Sequence, residues 1–324
     1  MSNYKFDVDT TGLAAYVDET STEILLQLQM TSDLTENATV MAGIKGSKKI
    51  RFMDETVTLQ SDSCAFNASG TTTFTEKTIS VADIAVMEEL CVQSLDRFWT
   101  EQVIRKGAGG YEVIPDEINK AYIDKRVNSL RKILNVADWT GDTSSATANI
   151  NKYDGLIKYA FTTNVSDTVD GNTSNASSAT SKSNILARMQ EMYLAIPDDL
   201  FGDAPDGGDL VWFLPTDYYR FYIEALKDAN LFHWKGGETD AATAGTYYGT
   251  NIKLVPQIGL ASQDKMIITP KDNLIVAMDG EGDDDEVKIW YSEDDRIHKT
   301  LIRFKRGVSA KFNDYIVRWG LGTS

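Results

Sequence analysis

The apolar positions of this chain gather into one long run of helical period, bracketed by stretches that alternate or scatter. Between Pro115 and Trp139, the residues Ile123, Val127, Leu130, Leu134 and Ala137 recur at spacings of four and three, which stacks them in one stripe. Pro115 suits the first helical position, and Asp116 and Glu117 sit where the positive end of the helix dipole favours carboxylates. Arg131 and Lys132 lie towards the other end, and Gly141 stops the helix. A lone helix of this length is marginal in water, so its stripe is expected to lie on a sheet or another helix.

Ahead of it, Tyr16, Val17, Ile24, Leu25, Leu28 and Met30 give a short helix-like pattern in a polar arm with few partners nearby in sequence. Residues 48–52 and 56–60 read as two short strands joined through Met53-Asp54-Glu55, and residues 71–81 as a longer threonine-rich strand with Phe74, Ile79 and Val81. Asn67-Ala68-Ser69-Gly70 reads as the turn between them. This ribbon is too polar to bury a core, and a two-stranded ribbon is stable only when it lies on another surface. Helical spacing resumes over residues 90–104, with Leu95, Phe98, Trp99 and Val103 on one side and Gly107, Gly109 and Gly110 at its end.

After the long helix come Tyr153-Asp154-Gly155-Leu156-Ile157-Lys158 and a polar stretch over residues 162–183, expected to be an exposed loop ordered only by neighbours. Residues 185–196 predict a helix closed by Pro197, residues 209–214 a buried strand, and Pro215 the start of a helix over 216–229. Turn and strand follow over 247–256, then strands over 273–278, 286–291, 299–304 and from 308 or 310 to 319. No short-period repeat is present, which excludes a solenoid or propeller. The order is arm, ribbon, helices, mixed lobe and terminal sheet, which predicts an α+β chain.

Composition narrows the function. At 324 residues the chain exceeds the usual single core, so two lobes or one core with long excursions are expected. Its formal charge of −16, from 32 basic and 48 acidic residues, repels nucleic acid and anionic membranes and argues against a sequence-specific DNA binder. Cys64 and Cys91 stand 27 positions apart with no paired-ligand spacing, which fits structural thiols in a reducing compartment. The N-terminal stretch lacks a basic head and an apolar run, so no signal peptide is expected and the chain is expected to be cytosolic when made.

Catalytic chemistry needs convergent groups. His233 and His298 are the only histidines and belong to no metal-ligand motif. Gly43-Ile44-Lys45-Gly46-Ser47-Lys48-Lys49 has the look of a phosphate loop but precedes a strand, so it reads as a charged ribbon edge that discourages aggregation. Asp279-Gly280-Glu281-Gly282-Asp283-Asp284-Asp285-Glu286 mimics a calcium loop, yet Asp284 stands where glycine is needed and Trp290 where a bidentate glutamate is needed. It reads as an acidic hairpin turn. Tyr218, Phe221 and Tyr222 share a helix face, as core or interface packing does.

The order of these elements resembles the major capsid protein of tailed double-stranded-DNA bacteriophages, the Hong Kong 97-type fold shared with encapsulin shells. The stretches that carry the likeness are Tyr153-Asp154-Gly155-Leu156-Ile157, Leu210-Val211-Trp212-Phe213-Leu214-Pro215, Tyr248-Gly249-Thr250-Asn251-Ile252-Lys253-Leu254-Val255-Pro256 and Ile316-Val317-Arg318-Trp319-Gly320. The resemblance implies an N-terminal arm over residues 1–34, an extended β-hairpin loop over 35–80, and a peripheral domain over 81–148 with the spine helix at 115–139. An axial domain over 149–271, peripheral strands over 272–308 and a closing axial strand over 309–324 complete it.

The same resemblance implies a non-enzymatic subunit with no cofactor. It would form hexamers and pentamers of an icosahedral shell around phage DNA, assembled in the bacterial cytoplasm and resident in the virion. Scaffolding, portal and decoration proteins would be partners, with non-specific proximity to DNA and no membrane. Lys45, Lys48, Lys49, Arg51, Phe74, Arg126 and Arg131 become the candidate contacts between subunits. Some relatives cross-link through Lys and Asn side chains; here the ribbon lysines are assigned ionic contacts with a neighbour's acids instead. The chain also starts without a preceding helical scaffolding segment, which implies a separate scaffolding protein or none. The alternatives are an encapsulin-type compartment, a tail or baseplate component, and an enzyme using the acidic turn.

Overall fold

The computed structural model describes residues 34–59, 69–91, 116–201, 207, 209–229, 245–247, 249–279, 286–292, 294 and 297–321. The arm, the turn at 67–68, the helix expected over 92–104, His233 and residues 280–285 lie outside them.

The long helix, α1 (Asp116–Thr140), forms where the stripe predicts, and Val127, Leu134 and Ala137 are buried. Its C-terminal end carries two more buried residues, Asp138 and Trp139, and Trp139 Nε1 donates to Gln257 Oε1 at 3.1 Å. Among the described residues the strands β1 (Thr39–Met41), β2 (Ser47–Thr56), β3 (Thr71–Ser80), β4 (Ala82–Cys91), β5 (Val169–Asp170), β6 (Leu210–Pro215), β7 (Lys253–Gln257), β8 (Lys265–Pro270), β9 (Leu274–Met278), β10 (Glu286–Ser292), β11 (Ile297–Ala310) and β12 (Val317–Gly320) are distributed over three sheets.

One sheet runs β1-β9-β11-β10, with β4 also paired to β11. The second runs β5-β12-β8-β6-β7, and the third is the ribbon of β2 and β3 alone. The second sheet lies at the centre. Strand β6 is buried along its whole length, as a strand covered on both faces must be. Its even positions, Leu210, Trp212 and Leu214, join the helices α3 (Ile185–Leu194) and α4 (Thr216–Asp228) in one core cluster. Its odd positions, Val211 and Phe213, join Ala137 and Trp139 of α1, the short helix α2 (Leu156–Lys158) and the β9 face in another.

Several expectations are corrected. The strand expected at 48–52 runs on through Met53-Asp54-Glu55, because each residue from Ser47 to Thr56 pairs with β3, and residues 57–59 form no strand. Leu90 and Cys91 end a strand and do not begin a helix, since β4 finds its partner in β11 more than 200 positions away. The strand expected at 299–304 runs on to Ala310 as one fourteen-residue strand, β11, and the strand expected from 308 or 310 to 319 is broken at 311–316 before β12. Lys305-Arg306-Gly307 reads as a break, but Arg306 is neutralised internally and Gly307 is required by contact: a Cβ there would stand 2.3 Å from the Ser80 carbonyl oxygen.

The polar stretch 162–183 is ordered by its own chain. Asn172 Nδ2 donates to the carbonyls of Ala176 and Gly320 at 3.1 and 2.7 Å, and β5 within it pairs with β12. Buried Arg188 of α3 holds its far end, donating to Thr180 Oγ1 and to Ser178, with its guanidinium 5.1 Å from the centre of the Trp319 ring.

Tyr153-Asp154-Gly155 ties the helix end to the first sheet. Tyr153 donates to Asp138 Oδ1 at 2.6 Å, and Arg306 meets the same carboxylate through Nε at 2.8 Å and Nη2 at 2.6 Å. Burial, then the adjacent Asp138 charge, pushes the Tyr153 hydroxyl well above its ordinary range. Asp154 Oδ1 accepts from Thr143 N–H at 2.8 Å and from Lys158 Nζ at 2.8 Å. Gly155 donates to the Gly141 carbonyl at 2.8 Å, and a Cβ there would stand 2.7 Å from the Trp139 carbonyl oxygen, so only glycine allows this approach.

Candidate assembly surface

The ribbon has two unlike faces, set by the pleat: residues directly opposite on β2 and β3 share a face, and alternate pairs switch. The inner face carries the pairs Lys48 with Ile79, Ile50 with Lys77 and Phe52 with Thr75. Ile79 is fully buried against Ile44, Ile275 and Ala277, with Ile50 beside them. The ribbon therefore has a core at its base, borrowed from β9. One step out, Lys77 Nζ reaches Asn313 Oδ1 at 2.7 Å, the Lys311 carbonyl at 3.4 Å and the Tyr159 hydroxyl. The Phe52 ring lies 4.6 Å from Phe312.

The outer face splits into an ionic base and an apolar end. Glu76 bridges two cations of the opposite strand, Lys49 Nζ at 2.9 Å and Arg51 Nε at 2.8 Å. Next along, Met53 and Phe74 are directly opposite each other and 60% and 74% exposed. Val57 and Leu59 continue this exposed apolar end. Among the described residues these side chains form an exposed apolar patch, which makes the ribbon end a candidate contact surface.

The expected contact residues thus occupy different settings. Lys49 and Arg51 are engaged within the ribbon by Glu76, while Lys45 and Lys48 are exposed at its root. Phe74 stands outward. Arg126 and Arg131 lie away from the ribbon on α1: Arg126 pairs with Glu88 of β4, and Arg131 donates to Asn128 Oδ1 at 3.4 Å. Met53, Phe52 and Lys77 were not singled out from sequence. The period-2 alternation of β2 would have exposed Met53, had its strand not been divided at that residue.

Of the acidic turn, residues 280–285 lie outside the described residues and only its ends are seen. Asp279, its first residue, is buried at the end of β9, with Lys305 Nζ 3.5 Å from Oδ2. Among the described residues no group of three or more His, Cys, Asp or Glu is placed to hold a metal ion. No helix among them is long and apolar enough to cross a membrane.

No protein-family model and no curated protein matches the chain. Solved structures do. The satellite phage P4 procapsid, a structure that includes the size determination protein, is similar over 97% of both chains at a TM-score of 0.60 and 11% identity. The chain has the phage capsid fold. The empty GTA particle capsid aligns over 90% of both chains at 0.55 and 12% identity, and the cyanophage A-1(L) capsid over 92% and 93% at 0.54 and 14% identity. In this capsid fold, α1 and the first sheet flank the central sheet, and the ribbon projects from the first sheet's base.

Proposed function

We propose that this chain is a major capsid protein: a non-enzymatic subunit that assembles as hexamers and pentamers into an icosahedral shell enclosing phage double-stranded DNA. The observation that carries the reading is a capsid fold matched along nearly the whole chain, with a ribbon whose apolar end is exposed among the described residues. The ribbon, residues 35–80, would lie on a neighbouring copy through Met53 and Phe74, with Lys45 and Lys48 meeting that copy's acids. The first sheet with α1 would serve as the peripheral domain, and the central sheet with α3 and α4 as the axial domain. Repeated weak contacts of this kind gain strength through symmetry.

The acidic total supports a shell wall to which packaged DNA does not adhere, since like charges repel within a screening length of about 8 Å at physiological salt. Scaffolding and portal proteins would be its partners, and the virion its final location. Negative-stain electron microscopy with sedimentation tests the reading directly. Closed shells or five- and six-membered rings from the protein alone, or with its scaffolding partner, are expected. A species that stays monomeric at about 36 kDa with those partners supplied would overturn it.

A further inference from the structure

Lys77 is out of place on the inner face of the ribbon. Ile50 stands directly opposite it, with Ile79 to one side and Phe52 to the other, and these apolar residues seat the ribbon on the body; Thr75 and Lys48 share the face, the latter exposed to water. Lys77 enters the same seat as a half-buried amine whose three hydrogen-bond partners are neutral oxygens: the Tyr159 hydroxyl, the Asn313 side-chain carbonyl and the Lys311 backbone carbonyl. An ammonium has three protons and finds three acceptors here, so the contact geometry is complete. None of those acceptors carries a charge, however, and neutral dipoles replace only part of the hydration that a compact ammonium loses on burial.

The charged groups around the seat do not close this gap. Asp167, before β5, and Asp314, after β11, favour the charged amine, but neither is among its hydrogen-bond partners. Lys311 turns its own amine to Thr39 Oγ1 at 3.3 Å, and Glu76 beside Lys77 is committed to Lys49 and Arg51 on the opposite face. Burial raises the Tyr159 hydroxyl to about 12, so it remains a neutral donor to Asn313 at 2.5 Å throughout the accessible range.

We propose that Lys77 makes seating of the ribbon a proton-releasing step, so that this side chain is a pH-responsive latch between the ribbon and the crossing from β11 to β12. Burial lowers the seated amine from 10.5 to about 8, whereas a ribbon lifted into water leaves it at its ordinary value. The lifted state therefore binds the proton more tightly. Seating is weakest at and below about pH 8 and strengthens as pH rises from there towards 10.5. The latch belongs to one chain and does not depend on the shell.

Amide hydrogen exchange of the full-length, unassembled protein over residues 47–56 and 71–80 tests this, with protection corrected for the intrinsic pH dependence of exchange. Between pH 8 and 9.5 the protection factor is expected to rise by up to tenfold per pH unit. Lys77→Met should raise protection at pH 7 and flatten the profile, while Lys77→Arg should lower it and flatten the profile too. Lys77→Gln, neutral and polar, is the second variant should the methionine protein fail to fold, and it should also be flat. A pH-independent parent profile, or a neutral variant less protected than the parent at pH 7, would overturn the latch.

Discussion

Asp138 and Arg306 form a two-pronged ion pair with no exposure to solvent, joining the last turn of α1 to the middle of β11. Burial opposes the guanidinium charge, but the adjacent Asp138 more than offsets this and holds the proton more firmly than usual. A buried pair adds little relative to an apolar filling, yet breaking it strands a charge. Arg306→Met is therefore expected to lower the unfolding free energy by about 3–5 kcal/mol. Urea titration would show this as a fall in midpoint at constant slope. The triple change Arg306→Met, Asp138→Leu and Tyr153→Phe should recover much of the loss. A triple variant as weak as the single would contradict the ion-pair account.

Lys158 occupies a nest of oxygens around the helix end, 2.7 Å from Asp142 and 2.8 Å from Asp154. A hydrogen bond from Lys158, then one from Ser144 N–H, holds Asp142 below its ordinary range; burial works against Asp154, but hydrogen bonds from Lys158 and Thr143 still hold it below, and the two carboxylates raise Lys158. The carboxylate contribution is complete above the unfolded value of 3.8 and is lost as pH falls through the lower folded values. The lysine contribution is complete below 10.5 and is lost as pH rises through its higher folded value. Exchange protection of residues 141–158 should be flat between these limits and fall below about pH 4. Lys158→Met should shrink that acid step, leaving the part set by the Thr143 and Ser144 N–H groups that also donate to these carboxylates.

How much of this was legible in sequence depended on where each segment finds its partner. Leu210 to Pro215 reads as a buried strand because its apolar run and closing proline are local facts. Ala82 to Cys91 does not, because Val86, Met87 and Leu90 also fit helical spacing; only the pairing of Ile84 and Val86 with Phe304 and Ile302 settles the matter. Strand β8 was missed for a different reason: its apolar run is only Met266 to Ile268, too short to stand out between the turn residues Asp264 and Pro270. The site divides likewise. Phe74 and the ribbon lysines announced themselves by type, but Lys77 gains its meaning from Asn313, 236 positions away.

Arg188 gives a test of the loop that sequence read as unsupported. Its guanidinium holds Ser178 and Thr180 while stacking over Trp319, and a planar fork does this where an ammonium cannot. Arg188→Lys should cost about 1–3 kcal/mol and raise amide exchange over residues 172–183, with the helices unaffected. Equal exchange in both proteins would mean the loop is held by Asn172 alone.

Met53 and Phe74 separate assembly from folding, because they are opposite one another on the ribbon yet far from its buried base. Changing both to serine touches no packed core, so the unfolding midpoint should move by no more than about 0.5 kcal/mol equivalent. Ile79→Ala, on the other face, removes a fully buried side chain and should cost about 2–5 kcal/mol. If the ribbon end is what one copy offers to the next, the double serine protein folds normally but sediments as small species under conditions where the parent forms shells. Ile79→Ala, at a temperature where it stays folded, still assembles. Shells formed at parental yield by the double serine protein would remove the apolar end from the interface and leave Lys45 and Lys48 at the ribbon root as the contacts to test next.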